Sequence, residues 1–143
     1  MQKIIIGSDH AGVELKSFLK EYLESQNYEI TDVGTFTNES CDYPDIAKAL
    51  AEKIKNDSKS LGILICGTGI GMSISINRFS FIRGALLYKK EVAKLAREHN
   101  NANVAVLGAR MFSNEENLEF LKIFLSSKFS EEERHKKRIS KLS

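Results

Sequence analysis

Residues 61–78 read LGILICGTGIGMSISINR. A continuous apolar run ends in a cysteine, Cys66, and glycines follow at positions 67, 69 and 71. A strand that is apolar at every position is covered on both faces, which is the habit of parallel sheets. The glycines allow a tight turn at its end, and the residues beyond them resume as a helix. This strand, loop and helix set the fold class, because the chain repeats the same alternation on either side.

Upstream, residues 3–8 (KIIIGS) read as a buried strand. Residues 11–26 follow as a helix with an apolar stripe at Ala11, Leu15, Phe18, Leu19 and Tyr22. Residues 29–33 form a second strand closed by Gly34, and residues 35–43 a polar loop. Pro44, the only proline, suits the first turn of a helix that carries Ile46, Leu50 and Ile54 on one face. Downstream, residues 83–87 and 104–107 are strands flanking a helix over 89–100, and a helix over 114–126 carries Leu118, Leu121 and Leu125. Ser130 is expected to cap a last helix over about 130–141, with Glu131 to Glu133 in its first turn. Five strands separated by helices give an α/β chain: a five-stranded parallel sheet between two helical layers. The 143 residues are expected to form one domain over positions 1–143.

Composition excludes several function classes. Hydrophobic residues at 42% and charged residues at 28% are ordinary for a soluble globular chain. A net charge of +2 gives no bulk electrostatic case for nucleic acid. The basic tail from Arg134 to Lys141 lies beside three acids and has no interleaved aromatics, so no nucleic-acid partner is expected. No apolar run is long enough to span a membrane, and MQKIIIGSDH is too short an apolar start for a signal peptide. A cytoplasmic protein with two reduced thiols, Cys41 and Cys66, is expected. The three histidines, at 10, 99 and 135, are too scattered for a metal site, and no metal or organic cofactor is expected.

Open parallel sheets bind ligands outside the carboxyl ends of their strands, which selects five turns. The first reads GSDHAG, with Asp9 where a dinucleotide fingerprint wants a glycine, and a carboxylate there repels phosphate. Asp32 stands about where a ribose-binding acid would, but without the glycines it is weak support for a dinucleotide. The third turn, CGTGIG, lacks the lysine of a nucleotide-phosphate loop. It also lacks the arginine of a cysteine phosphatase loop, since Met72 fills that position, and Cys66 replaces a receiver domain's aspartate. What remains is a helix N-terminus rich in backbone N–H donors. Such a loop stabilises an oxyanion and favours the thiolate of a neighbouring cysteine, so Cys66 is a candidate base.

At this point the sequence resembles a known family. GSDHAG, DYPD at Asp42 to Asp45, ILICGTGIGMSISINR, REHNNANVAVLGAR and RHKKR follow one another as in ribose-5-phosphate isomerase B. That family also includes allose- and galactose-6-phosphate isomerases. The resemblance implies a Rossmann-like α/β/α sandwich with strand order 2-1-3-5-4, no metal or cofactor, and homodimers or dimers of dimers whose active sites are shared between subunits. It implies aldose–ketose isomerisation through an enediolate, with Cys66 as the base and the backbone of Gly67, Thr68, Gly69, Ile70 and Gly71 stabilising the intermediate. The Thr68 hydroxyl would relay protons between O1 and O2, and His99 would open the sugar ring. Asp9, His10 and Asn100 match sugar-binding positions, and Arg110, Arg134 and Arg138 match positions that hold the phosphate or nearby hydroxyls. Tyr43 is a pocket wall. The chain has no acid between Gly67 and Arg78, so it falls with members that use a cysteine rather than a glutamate as base.

Each assignment has a plainer rival. A cysteine closing a buried strand is often an inert small residue, and Cys41, outside any motif, keeps that reading. His99 could simply cap a helix C-terminus. Arg134 and Arg138 could be a solvated face beside Glu131 to Glu133, although their spacing puts both on one side as a phosphate clamp requires. His135 is expected at the surface. A non-catalytic sugar-phosphate binding module would leave Cys66, Thr68 and His99 without a purpose.

Overall fold

The computed structural model describes residues 2–142. Five strands run in parallel: β1 (Lys3–Ser8), β2 (Glu29–Asp32), β3 (Leu61–Cys66), β4 (Gly84–Leu86) and β5 (Val104–Gly108), in the order β2-β1-β3-β5-β4. Six helices connect or follow them: α1 (Val13–Ser25), α2 (Tyr43–Asn56), α3 (Ile70–Ile76), α4 (Lys90–Glu98), α5 (Asn114–Ser126) and α6 (Glu133–Ser140). The expected α/β/α sandwich and strand order are both present.

Side chains on a strand alternate between faces, and this divides the core. Ile4 and Ile6 of β1, Ile63 and Ile65 of β3, and Ala105 and Leu107 of β5 pack with α1, α4 and α5. Ile5, Leu64, Cys66, Val104 and Val106 point the other way, against α2 and α3. Register therefore aims Cys66, at the last position of β3, toward the helix that its own glycine loop begins.

Several boundaries differ from the sequence reading. The first helix is preceded by a 3₁₀ turn, His10–Gly12, because the Asp9 side chain accepts the Ala11 N–H at 2.9 Å and caps a short turn before α1. The last helix starts at Glu133 with Glu132 as its N-cap, and Ser130 does not cap it. The Ser130 hydroxyl lies instead 2.7 Å from His135 Nδ1 and accepts the Glu132 N–H at 3.3 Å. His135, expected at the surface, is 4% exposed. A capping box that the sequence reading passed over starts α5: Ser113 Oγ accepts the Glu116 N–H, and Glu116 accepts the Ser113 N–H.

Candidate active site

The carboxyl edge of the sheet gathers the turns after β1, β3 and β5. The Asp9 N–H donates to the Ile65 carbonyl at 3.0 Å, the Ala109 N–H to the Cys66 carbonyl at 2.9 Å, and the Arg110 N–H to the Gly67 carbonyl at 2.8 Å. Main-chain bonds thus stitch the three turns into one surface, with little dependence on side chains. Asp9, 7% exposed, Cys66, 4% exposed, and the half-buried His10 line it.

The glycine loop is shaped by close approach. Gly69 has φ +81°, a conformation that costs a residue with a Cβ. A Cβ there would also sit 2.5 Å from Leu86, so β4 presses on the loop. A Cβ on Gly71 would meet the Tyr43 ring at 2.6 Å, which makes Tyr43 the wall the sequence suggests. The Arg110 guanidinium lies over Gly67, where a Cβ would approach Nη1 to 3.2 Å. The result is that the Gly69 N–H donates to Cys66 Sγ at 3.2 Å. A backbone donor is thus aimed at the sulfur from within the loop. The exposed Thr68 accepts the Ile70 N–H through Oγ1 at 3.1 Å, leaving its hydroxyl proton to donate elsewhere. His10 Nδ1 accepts the Cys41 N–H at 3.2 Å, so in the neutral ring the proton sits on Nε2. That loop contact is the role the structure gives position 41: it uses the backbone and leaves the thiol idle.

Beside this edge, Asp32 Oδ1 accepts Lys16 Nζ at 2.8 Å and the Gly34 N–H at 2.8 Å, while Oδ2 accepts Lys20 Nζ at 3.1 Å. Burial alone would raise the Asp32 pKa, but Lys16, the Gly34 N–H and Lys20 outweigh it and hold the carboxyl below its ordinary value. Lys16 also reaches the Thr35 carbonyl. Asp32 is therefore a strut for the loop after β2, with both carboxylate oxygens already engaged.

The remaining candidates lie elsewhere. Helix α4 ends at Glu98, and His99, Asn100 and residues 101–103 lead into the start of β5. Gly108, at the other end of β5, pairs with Cys66. Four strand steps from Val104 to Gly108 span about 13 Å. His99 and Asn100 thus sit at the amino edge, across the sheet from Cys66. Arg134 and Arg138 are there too, because the Ser130 N–H donates to the Glu98 carbonyl at 3.0 Å and the His135 ring stacks on His99, centroids 4.3 Å apart. Arg134 is exposed and lies 3.5 Å from Glu132. The structure brings Asp9, His10, Cys66, the glycine loop and Arg110 together, and it keeps His99, Asn100, Arg134 and Arg138 apart from them.

A groove of about 550 Å³ opens away from the thiol. Phe79, Ile82, Val92, Leu95, Ile139 and Leu142 supply its apolar lining, and Arg83 and Asn100 are polar members. The sulfur and the backbone donor that faces it lie instead at the glycine loop, outside this groove. No three metal-ligating side chains converge among the described residues, and no helix there is long and apolar enough to cross a membrane.

The parallel sheet covered by helices, with a thiol at a glycine loop, defines an α/β protein of the class whose members bind small ligands at the carboxyl edge of the sheet. The chain belongs to the Ribose/Galactose Isomerase family, whose profile matches residues 4–142. It is 40% identical to the probable ribose-5-phosphate isomerase B of Mycoplasma genitalium over 141 residues, 97% of this chain and 92% of that one. A putative sugar phosphate isomerase of Bacillus subtilis is 42% identical over 142 residues, 99% of this chain and 95% of the relative. Among solved structures, ribose 5-phosphate isomerase of Thermotoga maritima superposes with a TM-score of 0.95 at 46% identity, covering 99% of this chain and 97% of that one. Ribose-5-phosphate isomerase B of Mycoplasma genitalium, solved with bound ribulose-5-phosphate, gives 0.93 at 39% identity, with coverage of 98% and 93%.

Proposed function

We propose that this chain is an aldose–ketose isomerase interconverting ribose 5-phosphate and ribulose 5-phosphate through an enediolate. The observation that carries the reading is the Cys66 sulfur at the end of β3, facing the Gly69 N–H, in a chain of this family. Cys66 takes the proton from the carbon next to the carbonyl and returns it to the neighbouring carbon. The N–H groups of the 67–71 loop meet the negative oxygen that develops, and the Thr68 hydroxyl moves a proton between the two oxygens. Asp9 and His10 orient the sugar hydroxyls, and Arg110 faces the same edge. No metal or cofactor enters the reaction.

His99, Asn100, Arg134 and Arg138 belong to the same reaction but to a second copy. One chain cannot bring them to its own Cys66, so each site takes its carboxyl edge from one protomer and its amino edge from the other. Exposed apolar residues support this dimer: Ile70 and Ile74, one helical turn apart on α3, are 55% and 63% exposed. The apolar groove beside Asn100 offers such a ridge a seat, and seating it would bring a partner's glycine loop to His99. In that assembly His99 opens the furanose, and Arg134 and Arg138 on α6 hold the phosphate. We take positions 1–143 as one catalytic domain, working in the cytoplasm, where both free thiols stay reduced.

The test is turnover of ribose 5-phosphate, allose 6-phosphate and galactose 6-phosphate by the purified chain. The expected result is ketose formation fastest from the pentose. Faster turnover of either hexose reassigns the substrate, and binding of all three without turnover makes the chain a binding module.

A further inference from the structure

His135 is the one buried side chain of the largely charged α6, and the mechanism above gives it no task. Its ring lies on the His99 ring, with centroids 4.3 Å apart and planes inclined by 34°. Its Nδ1 lies 2.7 Å from Ser130 Oγ and 3.4 Å from Glu132 Oε2, and the Phe129 ring is 6.5 Å away. Ser130 is itself fixed, since its N–H donates to the Glu98 carbonyl. Glu98 is the residue directly before His99, so Glu98, Ser130, His135 and His99 close a ring of contacts around the end of α4.

His99 needs such support. It follows the last helical residue of α4, and a histidine χ2 torsion has broad, shallow wells. Ring opening requires a nitrogen held within hydrogen-bond reach of the sugar oxygen that gains or loses the proton. A stacked ring restrains the imidazole plane and leaves its nitrogens free at the edge. The stack also suits the charge that His99 carries in mid-reaction. Burial first, then the positive neighbours His99, Arg134 and Arg138, lower the His135 pKa, against an opposing pull from Glu132. A neutral ring gives the imidazolium a π face rather than a second positive charge.

We infer that His135 is a positioning residue for ring opening: anchored through Ser130, its buried ring holds the His99 imidazole in the orientation that proton transfer to the sugar oxygen requires. The inference rests on the reading of His99 as the ring-opening group.

The experiment compares ribose 5-phosphate with its 4-deoxy analogue, which lacks the hydroxyl that closes a furanose and is always open. Substrates are compared rather than directions, because the equilibrium constant fixes the ratio of forward and reverse kcat/KM for every variant. His135→Ala should lower kcat on ribose 5-phosphate about 10- to 100-fold, as misplacement of a catalytic group does. Its KM and its turnover of the open analogue should stay within about threefold of wild type. His135→Phe, which keeps a flat ring in the stack, should recover most of the loss, and Ser130→Ala should show a smaller loss of the same kind. In the double variant, His135→Ala should add nothing to His99→Ala, since it acts only through that ring.

Equal losses on both substrates in His135→Ala, or no recovery in a His135→Phe protein that folds, make His135 a packing residue and overturn the inference. Equal losses in His99→Ala overturn the ring-opening reading instead. The positioning claim then stands or falls on the double variant, whose loss must not exceed that of His99→Ala.

Discussion

The two edges of the sheet hold their candidate residues by different means. At the carboxyl edge, Asp9, Cys66 and the glycine loop are fixed by main-chain bonds between neighbouring turns and by the lack of side chains at positions 67, 69 and 71. At the amino edge, His99 is steadied by a ring from α6 and a serine more than thirty positions along the chain. The first arrangement depends on local geometry that few substitutions improve, and the second on long-range packing that many substitutions can loosen. An active site that needs both must survive assembly as well as folding.

The largest expected effect breaks the comparison outright. Cys66→Ala and His99→Ala, each alone, should lower kcat on ribose 5-phosphate about 10²–10⁴-fold, the usual worth of a positioned acid or base. Unfolding and refolding the two variants together should restore roughly a quarter of wild-type activity. Half of a statistical mixture is heterodimer, and one of its two sites is intact. No recovery in refolded, dimeric mixtures would show that both residues serve one protomer's site.

The scaffold of the carboxyl edge is tested next. Asp32→Ala leaves Lys16, whose side chain is 3% exposed, without its carboxylate partner, and should cost about 3–5 kcal/mol in denaturant unfolding at pH 7. The folded Asp32 pKa lies below the unfolded value of about 3.9, so its stabilisation is complete above that value and fades as pH falls through the folded one. The gap between wild type and variant should therefore narrow in acid. A gap that stays constant from pH 7 to pH 3 would assign the loss to packing.

The amino edge gives the smallest of the three effects. Removing a charge-assisted phosphate contact costs about 1.5–3 kcal/mol, so KM should rise roughly ten- to a hundredfold with kcat little changed. Arg138→Ala should stand near the upper end, because no carboxylate pairs with it among the described residues. Arg134→Ala should stand lower, since Glu132 already engages that guanidinium. Inhibition by inorganic phosphate should weaken in step, and unchanged inhibition would return both arginines to a solvated face.

The contrast also explains what the sequence made legible. The succession of strands and helices along the chain follows from apolar periodicity, although the order of strands in the sheet does not, and Cys66 stands out by its place at the end of an apolar run before three glycines. Both are properties of neighbouring residues. The burial of His135 was not readable, because RHKKR is charged throughout and its pattern describes a solvated helix. The ring is covered by a loop and a helix end that reach it only through the tertiary fold. The same applies to Ser130, which looks like a cap by its spacing to the acids but is claimed by His135. The opposite placement of His99 and Cys66 could have been found from the strand alternation alone. A residue that precedes a parallel strand and one that ends its neighbour face opposite edges.

That separation across the sheet has a consequence in dilute solution. If each site is assembled from two edges, a lone protomer holds two halves that cannot meet, so catalysis is a second-order property of a folded, first-order object. Specific activity should then fall on dilution while the spectroscopic signature of the fold stays constant, and added substrate or inorganic phosphate should delay the fall by bridging the halves. The chain would register its own abundance in its turnover, with no regulator beyond mass action.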